Sequence, residues 1–388
     1  MPNFDRSTWK RVKFGDVVKN ANAKTTDPAS DGIDRVIAME HLDPGQLTVR
    51  RWGTPESGTT FTRRVTPGQT LFGKRRAYQR KVAFAEFDAI CSGDILTFEA
   101  IPGMMLPELL PFVVQSDPFF ERAVGTSAGS LSPRTNWRDL ARFEFSLPPL
   151  DEQKRIADLM WALQRHRAAI CVTTDATLAA RTAYASSRVS DMLDEASADF
   201  STLWSRSPES GWSQKPVDTR TGHFVLSLSA LDDMGYVRGR LKPVELNDKV
   251  AATRLQSGDI LISRANTQLL VGRCGVFNES RGDVSFPDTM MRLHFTDDVI
   301  PAFAVEVINS IHGRAYMRKV AAGSATSMVK INRQSLGRLP FPKVTLEWQA
   351  NLLDDLASFD VALGDLNAQD ETLRNTERSL QELTFGAR

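Results

Sequence analysis

The sequence predicts an α+β protein. Two mixed globular domains are separated by two long helices that form an intramolecular antiparallel coiled coil, arranged as a pseudo-two-fold internal repeat. Three observations predict this. A proline-led helix start occurs twice, strand-and-turn patterning fills the chain before each start, and the last helix carries a heptad row of apolar residues. The first start is Leu147, Pro148, Pro149, Leu150, Asp151, Glu152, Gln153. The second runs from Leu336 through Pro340 and Pro342 to Leu346, Glu347, Trp348 and Gln349. Leu140 and Leu336, Arg142 and Arg338, Leu150 and Leu346, and Gln153 and Gln349 each stand 196 positions apart. Solenoid repeats recur at roughly 20–50 residues, so a repeat this long is one whole unit written twice.

Proline fixes φ and cannot donate into a ladder, so Pro148 and Pro149 end the segment carrying Phe143 and Phe145. Asp151 and Glu152 then complement the dipole of the first helical turn. Ile156, Leu159, Leu163 and Ile170 follow at helical spacing, with small and polar residues afterwards (Thr173, Thr174, Ala176, Thr177). The domain limits expected are 1–149, 150–197 (first helix), 198–343 and 344–388 (second helix). The stretch 195–211 reads as the link into the second half, with Trp212 answering Trp9. In the last helix Leu352, Phe359, Leu366, Leu373 and Leu380 fall seven apart, flanked by Leu356 and Leu363. Asp370 and Glu377 interrupt the companion row. A homodimeric zipper is the competing reading of this helix; the internal repeat favours packing on the first helix of the same chain.

Residues 1–149 alternate short apolar segments with Gly, Pro, Asp and Ser, a strand-and-turn rhythm. One helix is expected over 106–124. The charge is divided although the net is only +1. Residues 1–150 carry 20 Lys and Arg against 17 Asp and Glu, and residues 200–342 carry 18 against 13. Residues 151–199 carry 6 against 8, and residues 343–388 carry 4 against 9. Basic globular parts favour a polyanion, and acidic helices a different partner.

Within the first domain Lys74, Arg75, Arg76, Arg80 and Lys81 surround Tyr78 just after a strand. Cations supply phosphate contacts, and an aromatic or Arg among them can reach a base. The Gly/Ser stretch 125–130, with Ser127 and Ser130, and then Arg134 and Asn136, offers small groups and N–H donors suited to a phosphate. In the second domain the strand is repeated, Gly258 to Ile262 answering Gly68 to Phe72. It is followed by Arg264, Asn266, Thr267, Gln268 and Arg273. Arg suits guanine edges, and Asn or Gln suits adenine. Ser324, Thr326 and Ser327, with Lys330, Asn332 and Arg333, answer the Gly/Ser stretch of the first half.

Motifs for chemistry are missing. There is no P-loop spacing, no His-Glu-x-x-His and no Gly-x-Ser-x-Gly elbow. The three cysteines lack zinc spacing. Glu152-x-Lys154 is explained by the helix start rather than by nuclease chemistry. No catalysis, no metal and no cofactor are expected. No apolar run approaches the ~20 residues of a membrane span, so a cytoplasmic protein without membrane contact is expected.

The segment Leu147, Pro148, Pro149, Leu150, Asp151, Glu152, Gln153, Lys154, Arg155, Ile156, Ala157 resembles the conserved-region signature of the specificity subunit of type I restriction–modification enzymes. The segments 67–75 and 257–266 resemble the strand and basic loop of its target-recognition domains, and the layout is similar over essentially the whole chain. Val344 and Thr345 stand where the first copy has Pro-Pro. The resemblance implies that each globular domain reads one half of a bipartite double-stranded DNA target while the helices set the gap. Two adenine-methyltransferase subunits, using S-adenosylmethionine, would dock on the chain, and motor–nuclease restriction subunits would join. The chain itself would bind no cofactor. The alternatives are a free-standing two-domain DNA-binding regulator that homodimerises through its C-terminal helix, and a nuclease with an unrecognised site.

Overall fold

A computed structural model describes residues 6–55, 59–219, 221–232, 235–325 and 328–386. The chain divides into two units, Met1–Val172 with Asn367–Arg388, and Thr173–Leu366. Two long helices, Leu150–Glu195 and Leu346–Phe385, each give one half to each unit.

In the first unit a four-stranded antiparallel sheet runs in the order Val18–Asn20, Ile95–Ala100, Thr70–Gly73, Val82–Phe84. A smaller sheet pairs Ala89–Cys91 with Val36–Ile37 (parallel) and Arg63–Val65 (antiparallel). The core is aromatic: Phe14, Phe72, Phe98, Phe112 and Phe119 are fully buried. The strands Lys10–Lys13 and Glu144–Leu147 form a ribbon leading straight into the first long helix. The single helix expected over 106–124 is two helices, Leu110–Gln115 and Asp117–Gly125. Ser116 is extended at the break, and Pro118 opens the second helix, where its missing N–H costs nothing.

The second unit repeats the plan. Its four-stranded sheet orders Trp204–Ser210, Met290–Phe295, Ile260–Ser263, Cys274–Val276. Its ribbon pairs Ser197–Asp199 with Pro340–Pro342. The stretch 195–211 is therefore not a link, and Trp212 does not stand in Trp9's place. Phe14 donates its N–H to the Phe143 carbonyl (2.7 Å), and Phe200 donates to the Leu339 carbonyl (3.0 Å). Phe200, fully buried, is the true counterpart that begins the second core. It escapes sequence matching because the two copies are offset by 186 residues there and by 196 at the helix start.

Both long helices are clasped to their globular parts by the same side chain. Gln153 donates from Nε2 to the Met104 and Pro148 carbonyls (both 2.9 Å) and accepts from the Leu106 N–H (2.9 Å). Gln349 donates to the Asp298 and Val344 carbonyls (3.0 and 3.3 Å) and accepts from the Ile300 N–H (2.7 Å). Where the first copy has Pro149, Thr345 accepts the Trp348 N–H at its Oγ1 (3.2 Å), a hydroxyl cap in place of a proline start.

In each unit the helices pack together, antiparallel. In the first, Ile156, Ala157 and Met160 share a core with Leu380. The polar interruption of the heptad row is answered from the facing helix. Arg167 holds Asp370 (3.0 Å) and Glu377 (2.8 Å), and Gln164 donates to Glu377. Burial opposes ionisation of Asp370, but the hydrogen bonds from Arg167 and Arg374 prevail and hold its carboxyl below the usual range. In the second unit Ala185 and Val189 pack with Leu352 and Leu356, and Arg181 bonds Asp360 (2.6 Å). Leu352 and Leu380 of the heptad row, with Leu356 and Leu363 beside it, are thus buried within the chain, which takes from a homodimeric zipper residues that its seam needs.

Candidate nucleic-acid interface

In the first unit the fold joins the two stretches singled out above. The strand Thr70–Gly73 delivers Lys74, whose N–H bonds the Asp94 carbonyl (2.9 Å) and whose carbonyl accepts from Thr135 (3.1 Å). Arg75 bridges to Arg134 across the backbone, and the Arg76 N–H bonds the Pro133 carbonyl (2.7 Å). The basic loop and the Gly/Ser stretch are therefore one surface. Arg76 and Arg80 both take left-handed backbone (φ 53° and 55°), a conformation that disfavours a Cβ. The loop shape is held by side-chain anchors: Arg80 bonds the Gln115 carbonyl (3.0 Å), pairs with Asp117 and lies over the Phe120 ring, and Lys81 bonds the Met39 carbonyl (2.7 Å).

Asp94 is the hub that sequence reading missed. It takes two hydrogen bonds from Arg134 (2.7 and 3.2 Å) and faces Arg75 at 3.6 Å. The Arg134 hydrogen bonds, against some burial, hold its carboxyl below the usual range. Burial, then the Arg63 charge, lowers Lys74. Tyr78 is 57% exposed. Ser130 and Asn136 are exposed too, whereas Ser127 bonds back to the Ala123 carbonyl (2.8 Å). Lys74, Arg75, Arg76 and Arg134 thus meet on one surface, with Asp94 competing for two of the arginines.

The second unit rebuilds the same backbone with other side chains. The Arg264 N–H bonds the Thr289 carbonyl (2.8 Å), its carbonyl accepts from Ile331 (2.9 Å), and Ala265 pairs with Lys330. Arg264, Ala265, Thr289 and Lys330 therefore hold the places of Lys74, Arg75, Asp94 and Arg134. The carboxylate hub is gone. Arg264 reaches the Asp288 carbonyl (3.3 Å). Asn266 is only 6% exposed: it donates to Ser263 Oγ (3.3 Å) and accepts from the Thr267 N–H (2.9 Å), so it shapes the loop rather than facing outward. Thr267 is exposed, and Gln268 donates to the Arg318 carbonyl (2.6 Å). Arg273 is half-buried, its guanidinium lowered by burial and then by the Arg318 charge. Lys330 is exposed on the strand Met328–Lys330. Asn332 caps the helix Arg333–Gly337 through the Ser335 N–H (2.7 Å), and Arg333 bonds the Pro208 carbonyl (2.7 Å). Ser324 lies in the strand Ala322–Ala325. Thr326 and Ser327 fall outside the described residues. Among the described residues no three His, Cys, Asp or Glu side chains gather as metal ligands, and no helix is long and apolar enough to cross a membrane.

Residues 6–171, which include the whole first basic surface, match the family described as the type I restriction modification DNA specificity domain. The first half of the chain is thus similar to the DNA specificity domain of type I restriction–modification enzymes. A curated member, the type I restriction enzyme EcoDI specificity subunit of Escherichia coli, is 24% identical over 152 residues. That match covers 39% of this chain and about a third (33%) of the relative's length. Solved structures share the fold over nearly full length. A chain from a structural study of type I R-M complex assembly and conformational transition superposes with a TM-score of 0.56 at 15% identity, covering 99% of this chain and all (100%) of its own. The S subunit from M. genitalium gives 0.52 at 11% identity, covering 100% and 99%.

Proposed function

We propose that this chain is the sequence-reading subunit of a cytoplasmic type I restriction–modification complex, a recognition component that performs no chemistry itself. Residues 1–149 and 198–343 are the two target-recognition domains, and the helical segments 150–197 and 344–388 are the spacers. Each domain reads one half of a bipartite double-stranded target, and the helix pair sets the gap. The supporting observation is the duplicated architecture, Arg75 with Arg134 in one unit and Ala265 with Lys330 in the other, in a chain whose first half matches a DNA specificity domain. One backbone platform carrying two side-chain sets suits two different half-sites.

The apolar residues left exposed on the helices supply docking faces. In the first unit Leu159 and Leu383 are 39% and 42% exposed and line a groove of 560 Å³ with Leu163 and Leu380. Two adenine-methyltransferase subunits are the proposed occupants of the helices, with motor–nuclease subunits completing the restriction complex.

The test is DNA binding by the assembled methyltransferase complex. Replacing Lys74, Arg75 and Arg76 together by Ala lowers affinity and reduces the slope of log K against log salt by up to roughly 0.9 for each phosphate no longer neutralised. Unchanged affinity and slope would remove the first basic surface from the interface.

A further inference from the structure

The second unit contains a cavity of 690 Å³ between the helix Ile311–Val320, the loop 267–273 and the second half of the first long helix. That volume lies within the roughly 300–1,000 Å³ of small-molecule sites. The two carboxylates in its wall are already engaged. Arg181 grips Glu306 through both Nη atoms (2.8 and 3.1 Å) and Asp360 through Nε (2.6 Å). Three further arginines, Arg273, Arg314 and Arg318, line the same space.

Arg314 is the unusual one. Its side chain is only 5% exposed. Nη2 donates to the Leu269 carbonyl (2.8 Å), while Nη1 is buried without an acceptor. A Cβ placed on Gly272, at φ +76°, would lie 3.2 Å from that Nη1, so the guanidinium rests directly on the Gly272 backbone. Among the described residues no carboxylate forms an ion pair with it. Arg318, one turn along the helix, donates from Nε to the Arg314 carbonyl (3.2 Å). Burial, then the charges of Arg273 and Arg318, pull the Arg314 guanidinium down to about 10. A buried cation without a counter-ion is costly, several kcal/mol even after relaxation.

The first unit shows what a compensated version looks like. There the place of Arg314 belongs to Phe120 and that of Ile311 to Asp117, in the same 194-residue offset that relates Leu106 to Ile300. The loop cation Arg80 lies over Phe120 and pairs with Asp117. In the second unit Asp232 offsets part of the Arg273 charge, but among the described residues Arg314 has no such carboxylate. Its excess positive charge is therefore not required by the repeated scaffold.

The geometry points to a binding site for a phosphate-type oxyanion in this cavity, held by Arg314 and Arg318 with Arg273 beside them, and roomy enough for a nucleoside monophosphate. The phosphate can be that of a free small molecule or of a DNA backbone; only the second source rests on the function proposed above. The test uses the full chain at fixed ionic strength in chloride. Thermal unfolding is followed during titration with inorganic phosphate, with AMP, and with a duplex. A free-anion site gives a saturable rise of about 5–10 °C near 100-fold over Kd, abolished in Arg318→Ala and in Arg273→Ala. In the same chloride buffer without phosphate, AMP or duplex, Arg318→Ala is no less stable than the parent, because it removes a like charge. If only the duplex gives the rise, and Arg318→Ala abolishes it while lowering the salt slope by about 0.9, the backbone is the source. No saturable response to any of the three, or an equal response in both variants, overturns the site. Failure of the free-anion arm alone leaves the proposed function untouched, and its success does not depend on DNA.

Discussion

Removing the Gln153 amide unlatches the first globular part from its helix. The side chain is 1% exposed and makes three hydrogen bonds, all to backbone. A buried hydrogen bond contributes a net ~0.5–1.5 kcal/mol, and a partner left unsatisfied costs about 1–3 kcal/mol. Gln153→Ala orphans one N–H and two carbonyls, of which entering water can recover part. The expected loss is ~2–4 kcal/mol, or roughly 5–15 °C in the transition of a unit this size. Tryptophan fluorescence reports it, since Trp161 and Trp9 pack in the same unit. Gln153→Glu separates hydrogen bonding from volume, because it turns the Nε2 donor into an oxygen facing two carbonyls. Its carboxyl is then easier to protonate in the folded state, with a folded pKa above the ordinary ~4.3. The penalty is absent below ~4.3 and grows as pH rises through the raised value. Gln349→Ala produces a loss of similar size in the second unit. A change below about 0.5 kcal/mol for Gln153→Ala, or a pH-independent Gln153→Glu, would refute the clasp.

Arg167→Met leaves Glu377 buried without its cation and Asp370 with Arg374 alone, which costs about 3–5 kcal/mol at pH 7. Because the Asp370 carboxyl is held below its ordinary value, the stability it contributes is present above ~pH 4 and disappears as pH falls through the lowered one. Urea unfolding of parent and Arg167→Met should therefore converge in acid; a constant difference would show that the pair is not the cause. Asp94→Asn releases Arg75 and Arg134, so non-specific DNA affinity rises roughly 3–10-fold at low salt. A fall instead identifies Asp94 as the group that positions both arginines. Inserting four residues near Thr177, matched by four near Gly364 to keep the register of Arg181 with Asp360, lengthens the helix pair by ~6 Å, about 2 base pairs, and turns it by about 40°. The preferred gap between half-sites then changes while the half-site sequences do not, as read by binding to a library of spacings. An unmoved gap removes the helices as the ruler.

What is legible in the sequence follows from where each residue's information lies. The helix start is local: two prolines, two acids and an apolar period announce it before any tertiary contact exists. The Asp370 and Glu377 interruption is visible as well, but Arg167 lies some 200 positions away and nothing in its own neighbourhood marks it as their partner. The break at Ser116 is hidden because the apolar residues on both sides fit one continuous helix, although Pro118 is an available signal. Asp94 looks like an ordinary turn residue, and its role arises only because the Gly/Ser stretch folds back on the basic loop. Residue type alone matches Trp212 to Trp9, whereas backbone pairing matches Phe200 to Phe14.

The two units also show which positions the repeat keeps. Side chains that bond to backbone recur: Gln153 with Gln349, and Ser116 with Ser310, whose hydroxyls both bond a carbonyl three residues back at 2.7 Å. Positions around the basic surface diverge, Arg75 to Ala265 and Asp94 to Thr289, and so does the neighbouring pair Phe120 and Arg314. A residue that closes the backbone's own hydrogen bonds has few acceptable replacements, because an orphaned buried group costs more than the bond contributes. A residue facing outward is not bound by that constraint, so it can carry a different charge without changing the strand order beneath it. Two readers of unlike half-sites, as proposed above, would draw on that freedom, since their outward side chains can differ while the strands that carry them stay the same.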